Sequence, residues 1–373
     1  MENSKVYWAD FRTSLSENLT QKMIRLIKKA GVENIDFSEK FVAIKLHFGE
    51  PGNLAYLRPQ YARALAEFIK SKGGRPFLTD CNTLYVGMRK NALDHLDAAY
   101  MNGFYPLATG CQVIIGDGLK GTDEVHVDFP EGEFVKSAKI GRAVTDADII
   151  ISLNHFKLHE ATGFGGAIKN LGMGAASRAG KMEQHAQGKP EVEQSLCIGC
   201  GNCARECGQD AIEFVKASDG KRKAFINQEK CVGCGRCIGA CPTDATHPQW
   251  DNTNEMLCRK MGEYATAVVK GKKQFHISLI TDVSPCCDCH AENDAPLIPN
   301  VGMFASFDAV ALDKACADMA NKQPRLPGTI LDMLKATSGD LFCDVHPTTV
   351  WKAQLEQAEK VGMGNCAYEL IKI

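Results

Sequence analysis

Two periodicities of apolar residues alternate along most of the chain. Leu19, Met23, Ile24 and Ile27 form a helical stripe that stops at Gly31, as a helix C-terminus does. Phe41–Leu46 is a short apolar run of buried-strand length. Pro59 opens a helix with Leu65, Phe68 and Ile69 on its apolar side, closed by Gly73 and Gly74. Phe77–Thr79 begins a strand, Asn91–Gly103 reads as a helix, and Gln112–Ile115 as a strand. Val125, Val127 and Phe129 alternate with polar residues before Glu131 and Gly132, the pattern of a hairpin. Asp148–Leu153 is the strongest strand signal of all.

Helix and strand signals return toward the C-terminus. Glu255–Lys270 is helical, Phe275–Ile280 and Val301–Ala305 are strand candidates, and Asp308–Lys322, Ile330–Ala336 and Thr349–Val361 are helices. This alternation predicts an α/β fold, a mostly parallel sheet with helices on both faces. Between residues 191 and 249 cysteine- and glycine-rich sequence replaces it. The expected organisation is a discontinuous α/β domain of residues 1–190 and 250–373, interrupted by a small α+β ferredoxin-like insertion of residues 191–249.

Composition narrows the class. Hydrophobic residues make up 45% and charged residues 24%, which excludes general disorder. A net charge of −2 without charge blocks excludes a nucleic-acid-binding or polybasic membrane surface. No apolar run is long enough to span a bilayer, and Met1–Asp10 does not resemble a signal peptide. The expected location is cytoplasmic, where the 17 cysteines read as metal ligands or reactive thiols rather than disulfides.

Eight of those cysteines form two copies of one motif. Cys197-Ile-Gly-Cys200-Gly-Asn-Cys203-Ala-Arg-Glu-Cys207 has the bacterial ferredoxin spacing, and Cys231-Val-Gly-Cys234-Gly-Arg-Cys237-Ile-Gly-Ala-Cys241-Pro242 repeats it. Three thiolates of each repeat suit one 4Fe–4S cubane, and the fourth crosses to the other. The expected sets are Cys197, Cys200, Cys203 and Cys241 for one cluster, and Cys231, Cys234, Cys237 and Cys207 for the other. A pair of zinc knuckles is the competing use of such cysteines. Cys207 departs from the pattern, being followed by Gly208 instead of proline.

The strongest strand runs into His155, Lys157 and His159 and then a glycine-rich turn containing Gly163, Gly165 and Gly166, with Lys169 and Asn170 beyond. Glycines opening a helix can present N–H groups to an anion, with Lys169 adding charge; a packing turn is the plain alternative. The spacing is neither a Walker motif nor G-x-G-x-x-G, so no nucleotide is specified. Other strands also end in polar groups: His47 and Glu50, Asp80, Cys81 and Asn82, Asp117, and Asp282. In an open α/β sheet these carboxyl ends share one rim, where ligands bind. A second cysteine concentration, Cys286, Cys287, Cys289 and His290, could join His47, His155 or His159 in a further site for zinc, iron or nickel, supply a redox thiol, or be a plain reduced loop.

The run His155–Gly174, the segment Cys286–His290 and Met303–Lys314 together resemble the family labelled domain of unknown function 362, whose members often contain an inserted two-cluster ferredoxin module. The resemblance spans nearly the whole chain and implies fold and cluster content, without a reaction. The leading expectation is a cytoplasmic, oxygen-sensitive iron–sulfur oxidoreductase of anaerobic chemistry. Its clusters would receive electrons from a redox partner (a ferredoxin, a flavoprotein or a larger complex) and serve a rim site. There Gly163, Gly165, Gly166, Lys169 and Asn170 would hold a small anion, and His155, Lys157 and His159 would act in proton transfer or metal binding. The alternatives are an electron-transfer or adaptor subunit, and a scaffold for metal or cluster assembly.

Overall fold

The computed structural model describes residues 3–186, 188–217, 220–250, 252–334 and 338–373. Its centre is an eight-stranded sheet: β1 (Ser4–Asp10), β2 (Phe41–Lys45), β3 (Arg75–Asp80), β4 (Gln112–Ile115), β5 (Ile149–His155), β6 (Lys273–Ile280), β7 (Gly302–Ser306) and β8 (Tyr368–Lys372). The spatial order is β8-β1-β7-β6-β5-β2-β3-β4. Only β7 runs antiparallel to its neighbours; the other five adjacencies are parallel.

The unbroken apolar runs have a physical cause in this arrangement. β5 is buried along its whole length, and Ile149, Ile150, Ile151 and Leu153 give it apolar side chains on both faces, as central parallel strands have. Ile44, Ile151 and Phe275 lie side by side across β2, β5 and β6. Each fully buried aliphatic side chain contributes about 1.5–3 kcal/mol, so the centre of the sheet is its most stabilised part.

One face is covered by α1 (Leu19–Lys29) and α2 (Pro59–Ser71), whose Met23, Ile27, Leu65 and Ile69 share a core with Ile44 and Ile151. Asn18 and Gln21 close the start of α1 with a reciprocal capping box. Two short helices, α3 (Ala167–Gly172) and α4 (Arg178–His185), follow β5. The opposite face carries α5 (Asn254–Val269), α6 (Ala309–Asn321) and α7 (Lys352–Lys360), packed through Met261, Val310 and Leu355. The fold is therefore α/β with a mostly parallel sheet, as the periodicity predicts.

The cysteine-rich segment adds no strand to this sheet among the described residues. Pro190–Val192 pairs antiparallel with Thr246–Pro248, bringing its two ends together, and Ile212–Lys216 pairs with Arg222–Ile226. The hairpin anticipated at Val125–Phe129 forms from Glu124–Asp128 and Ser137–Gly141. The helix anticipated at Ile330–Ala336 is described over Ile330–Leu334; its remaining residues lie outside the described set. No helix among the described residues is long and apolar enough to cross a membrane.

Candidate functional site

The carboxyl ends of β2, β3 and β5 open onto a cavity of about 50 Å³, room for a few water molecules or one small ligand. The loops after parallel strands meet there because every such strand points the same way. Arg89, Lys157, Lys169 and Lys181 line it, with Asp80 the one carboxylate in the lining. Such an excess of cations favours an anionic occupant.

Buried ion pairs hold the walls. Lys45 ends β2 and reaches Asp80, at the end of β3, at 2.9 Å; both are buried. Lys45 also donates to the Asn170 side-chain oxygen at 2.7 Å, and Asn170 donates back to the Lys45 carbonyl at 2.9 Å. Burial pulls the Lys45 pKa down while the Asp80 charge opposes it. Arg89 pairs with Glu50 at 2.7 Å and donates to the Cys289 carbonyl at 3.2 Å. Lys157 pairs with Asp288 at 3.2 Å. Burial pushes the Asp288 carboxyl up, but the His155 and Lys157 charges prevail and hold it below its ordinary value.

The three residues expected to act in chemistry occupy different positions. Lys157 faces the cavity. His155 lines it too, but its Nδ1 contacts Asp288 at 2.8 Å and its Nε2 contacts the Thr281 carbonyl at 2.7 Å. Both neighbours are acceptors, so the ring meets both only as a two-proton donor, and neither nitrogen is free for a metal. His159 accepts N–H bonds from Ala161 and Thr162 at Nδ1, both at 3.2 Å, which places its proton on Nε2. Burial, then Lys169, pull its pKa down to about 4, so it is neutral near pH 7.

The glycine turn differs from its expected use. Gly163–Gly165 is a short strand paired with Lys157–His159. Gly166 begins α3, but the N–H groups of Ala167 and Ile168 are bonded by the buried Asp313 carboxylate at 2.7 and 2.8 Å. The group at this helix start is thus the protein's own carboxyl, whose pKa burial raises to about 7. Gly165, Gly166, Lys169 and Asn170 still border the cavity, whose cationic groups come from side chains.

The second cysteine concentration divides. Cys287, Cys289 and His159 lie with donor atoms within 4.8 Å of one another, and Lys169 Nζ lies 3.4 Å from the Cys287 sulfur. Cys286 is not in that group. His290 is 40% exposed and meets Glu160 at 3.4 Å. His47 accepts from the Gly49 N–H at 2.9 Å and faces the Arg89 guanidinium at 2.8 Å; burial, then Arg89, hold its pKa well down.

The repeated cysteine motif forms two small cavities. Cys197, Cys200, Cys203 and Cys241 line one, and Cys207, Cys231, Cys234 and Cys237 line the other, the crossed grouping. Ala224 N–H points at the Cys197 sulfur and Ala211 N–H at the Cys207 sulfur, each at 3.4 Å, contacts that favour thiolates. Gly201 and Gly235, with φ of 83° and 71°, precede the short helices Asn202–Arg205 and Arg236–Ala240 in a conformation that costs other residues energy. Four thiols around each small cavity, with N–H groups aimed at sulfur, are a donor set suited to soft or borderline metals.

The module and the cavity share two connecting pieces. Leu84 packs with Cys197, Cys203 and Cys237, while its neighbour Tyr85 lines the cavity. In α4, Arg178 presses on Gly235 and Gly239, Lys181 lines the cavity, and His185 Nε2 meets the Tyr85 hydroxyl at 2.5 Å. Trp250, at the module's exit, stacks on Tyr85 at 5.9 Å. Lys45, Tyr85, Arg89, Arg178 and Lys181 escaped the sequence reading. Lys45 carried a signal, a lone charge inside an apolar strand; the others sit in loops and a short helix without a motif.

No curated protein matches the sequence. Among solved structures, the lactate racemase apoprotein from Thermoanaerobacterium thermosaccharolyticum is 12% identical, with a TM-score of 0.37 over 75% of this chain and 51% of that one. A Thermotoga maritima protein from a structural genomics programme is 11% identical, with a TM-score of 0.39 over 80% of this chain and 57% of that one. The chain therefore spans a little over half the length of each. The sequence matches the family described as domain of unknown function, DUF362, over residues 42–318, and the chain belongs to that family.

Proposed function

We propose that the protein is an iron–sulfur oxidoreductase acting on a small anion in the rim cavity. Cys197, Cys200, Cys203 and Cys241 would hold one 4Fe–4S cluster, and Cys207, Cys231, Cys234 and Cys237 the other. The clusters supply single electrons when bound. The observation that carries this reading is the direct packing of the cysteine module on the cavity wall through Leu84–Tyr85 and α4.

The chain's own groups account for the rest. Arg89, Lys157, Lys169 and Lys181 bind and orient the anion, and enclosure strengthens each contact by excluding water. Burial raises the Tyr85 pKa well above its ordinary value and lowers that of His185 to about 3. The pair is therefore neutral, with the Tyr85 hydroxyl donating to His185, and a proton is held at the cavity edge.

A second reading, an electron-transfer subunit, draws on the exposed apolar Ile198 and Val232, each directly after the first cysteine of its repeat. They suit docking of a ferredoxin or flavoprotein in the cytoplasm, and under the first reading the same face would admit the electron donor.

Anaerobic purification with metal analysis and EPR tests the proposal. About eight irons per chain and the magnetic signature of two reduced 4Fe–4S clusters are expected; stoichiometric zinc in their place would overturn it. Calorimetric titration with inorganic oxyanions separates the two readings, since only the first requires binding that is lost in Arg89→Gln.

A further inference from the structure

The geometry points to Cys287 and Cys289 as a reversible dithiol–disulfide couple on the cavity wall. Their sulfurs lie within 4.8 Å of each other. Cys289 is partly exposed and lines the cavity, whereas Cys287 is fully buried behind it. That is the layout of an attacking thiol and a resolving thiol.

The surroundings prepare both members. Lys169 Nζ is 3.4 Å from Cys287, and Arg89 and Lys157 line the same cavity. The neighbouring Cys287 thiol lowers the Cys289 pKa against the effect of burial, and the Cys289 thiol, with burial, raises Cys287 to about 12. Of the two thiols, Cys289 is thus the one that more readily becomes the thiolate. The turn between them is braced: His290 N–H bonds the Cys287 carbonyl at 3.0 Å, Glu50 N–H bonds the Asp288 carbonyl at 2.8 Å, and the Asp288 side chain is held by His155 and Lys157.

The same features disfavour a metal ion here. His159, the third member of the group, has its Nδ1 occupied by two N–H donors and its proton on Nε2. Only two sulfur donors remain, beside Lys169 and a lining rich in cations.

The step balances with a small disulfide as co-reactant. The Cys289 thiolate attacks one sulfur of RSSR, an S–S bond forms, and RS⁻ leaves. Cys287, giving up its proton to that leaving thiolate, attacks Cys289 and releases the second RS⁻, which takes a proton from water. The protein dithiol is oxidised by two electrons and RSSR is reduced to two thiols. A dithiol reagent, or two one-electron equivalents from a ferredoxin-type donor with two protons, reverses it.

The test equilibrates the intact protein anaerobically in reduced and oxidised dithiothreitol at several ratios, then traps it in acid and alkylates it. The tryptic peptide Gln274–Lys314 contains Cys286, Cys287 and Cys289. It should pass from three labels to one, on Cys286, in a single two-electron transition. Cys289→Ser should abolish the transition. Lys169→Met should slow alkylation of Cys289 about tenfold, one pKa unit of thiolate. Three labels at every ratio, a Cys286 bridge, or a stoichiometric metal shielding the pair until chelation would each overturn the inference. Iron content of the same sample reports on the cluster proposal separately, since the thiol transition does not depend on it.

Discussion

A Cβ placed on Gly166 would lie 2.3 Å from the Asp313 carboxylate, because Asp313 closes over the start of α3 to bond Ala167 and Ile168. The glycine is needed for close approach by a carboxylate from α6, and that contact fixes the helix bearing Lys169 and Asn170. Asp313→Ala should leave two buried N–H groups unpaired, at about 1–3 kcal/mol each. Urea denaturation should show a loss of about 2–6 kcal/mol, and a loss well under 1 kcal/mol would refute this role.

Lys45 and Asp80 join the ends of β2 and β3 without solvent contact. Removing one member of such a pair costs about 3–5 kcal/mol, because the other is left charged and buried. Lys45→Met should destabilise by that order, and Lys45→Met with Asp80→Leu by distinctly less. A double-mutant cycle by chemical unfolding gives the answer; additive losses would mean that the pair is not coupled.

The pH dependence of the Cys286–His290 loop follows from His290. Its bond to Glu160, opposed by partial burial, raises its pKa from 6.5 to about 9. A raised folded-state pKa gives stabilisation that is complete below 6.5 and disappears as pH rises through about 9. The side chain is 40% exposed, so the contribution should stay within about 1 kcal/mol. The stability gap between the natural protein and His290→Gln should narrow across that window, with the imidazole NMR titration centred near its upper end. A gap that widens with pH contradicts the assignment.

Single cysteine replacements distinguish crossed from uncrossed ligand sets. Cys241→Ala should reduce iron from about eight to about four per chain and free Cys197, Cys200 and Cys203 to alkylation. Cys207→Ala should do the same for Cys231, Cys234 and Cys237. If Cys241→Ala instead exposed its own repeat, the crossed assignment would be wrong.

Much of the fold was legible because burial on both faces leaves a one-dimensional trace. Asp148–Leu153 and Phe275–Ile280 read as strands because apolar residues are concentrated there, and Ile149–Leu153 and Phe275–Ile280 are buried throughout. β1 and β8 left no such trace. They are partly exposed along their length and pair in parallel across nearly the whole chain, a contact without local pattern. The site was legible in the same uneven way. His47, Asp80, His155, Lys157 and Lys169 could be placed on the rim by counting strand ends. The hydrogen bonds that decide which of them are free could not, because Asp288, Thr281 and Asp313 come from distant segments. Arg89 and Tyr85 lie in an irregular loop, where no periodicity marks an inward side chain.

The crossed grouping of the cysteines has a consequence for how this segment changes over evolutionary time. Each four-thiol cavity draws three members from one repeat and one from the other, so an isolated repeat presents three donors and completes nothing. Exchange or decay of either half alters both cavities at once. The two repeats are one structural unit, though they read as two.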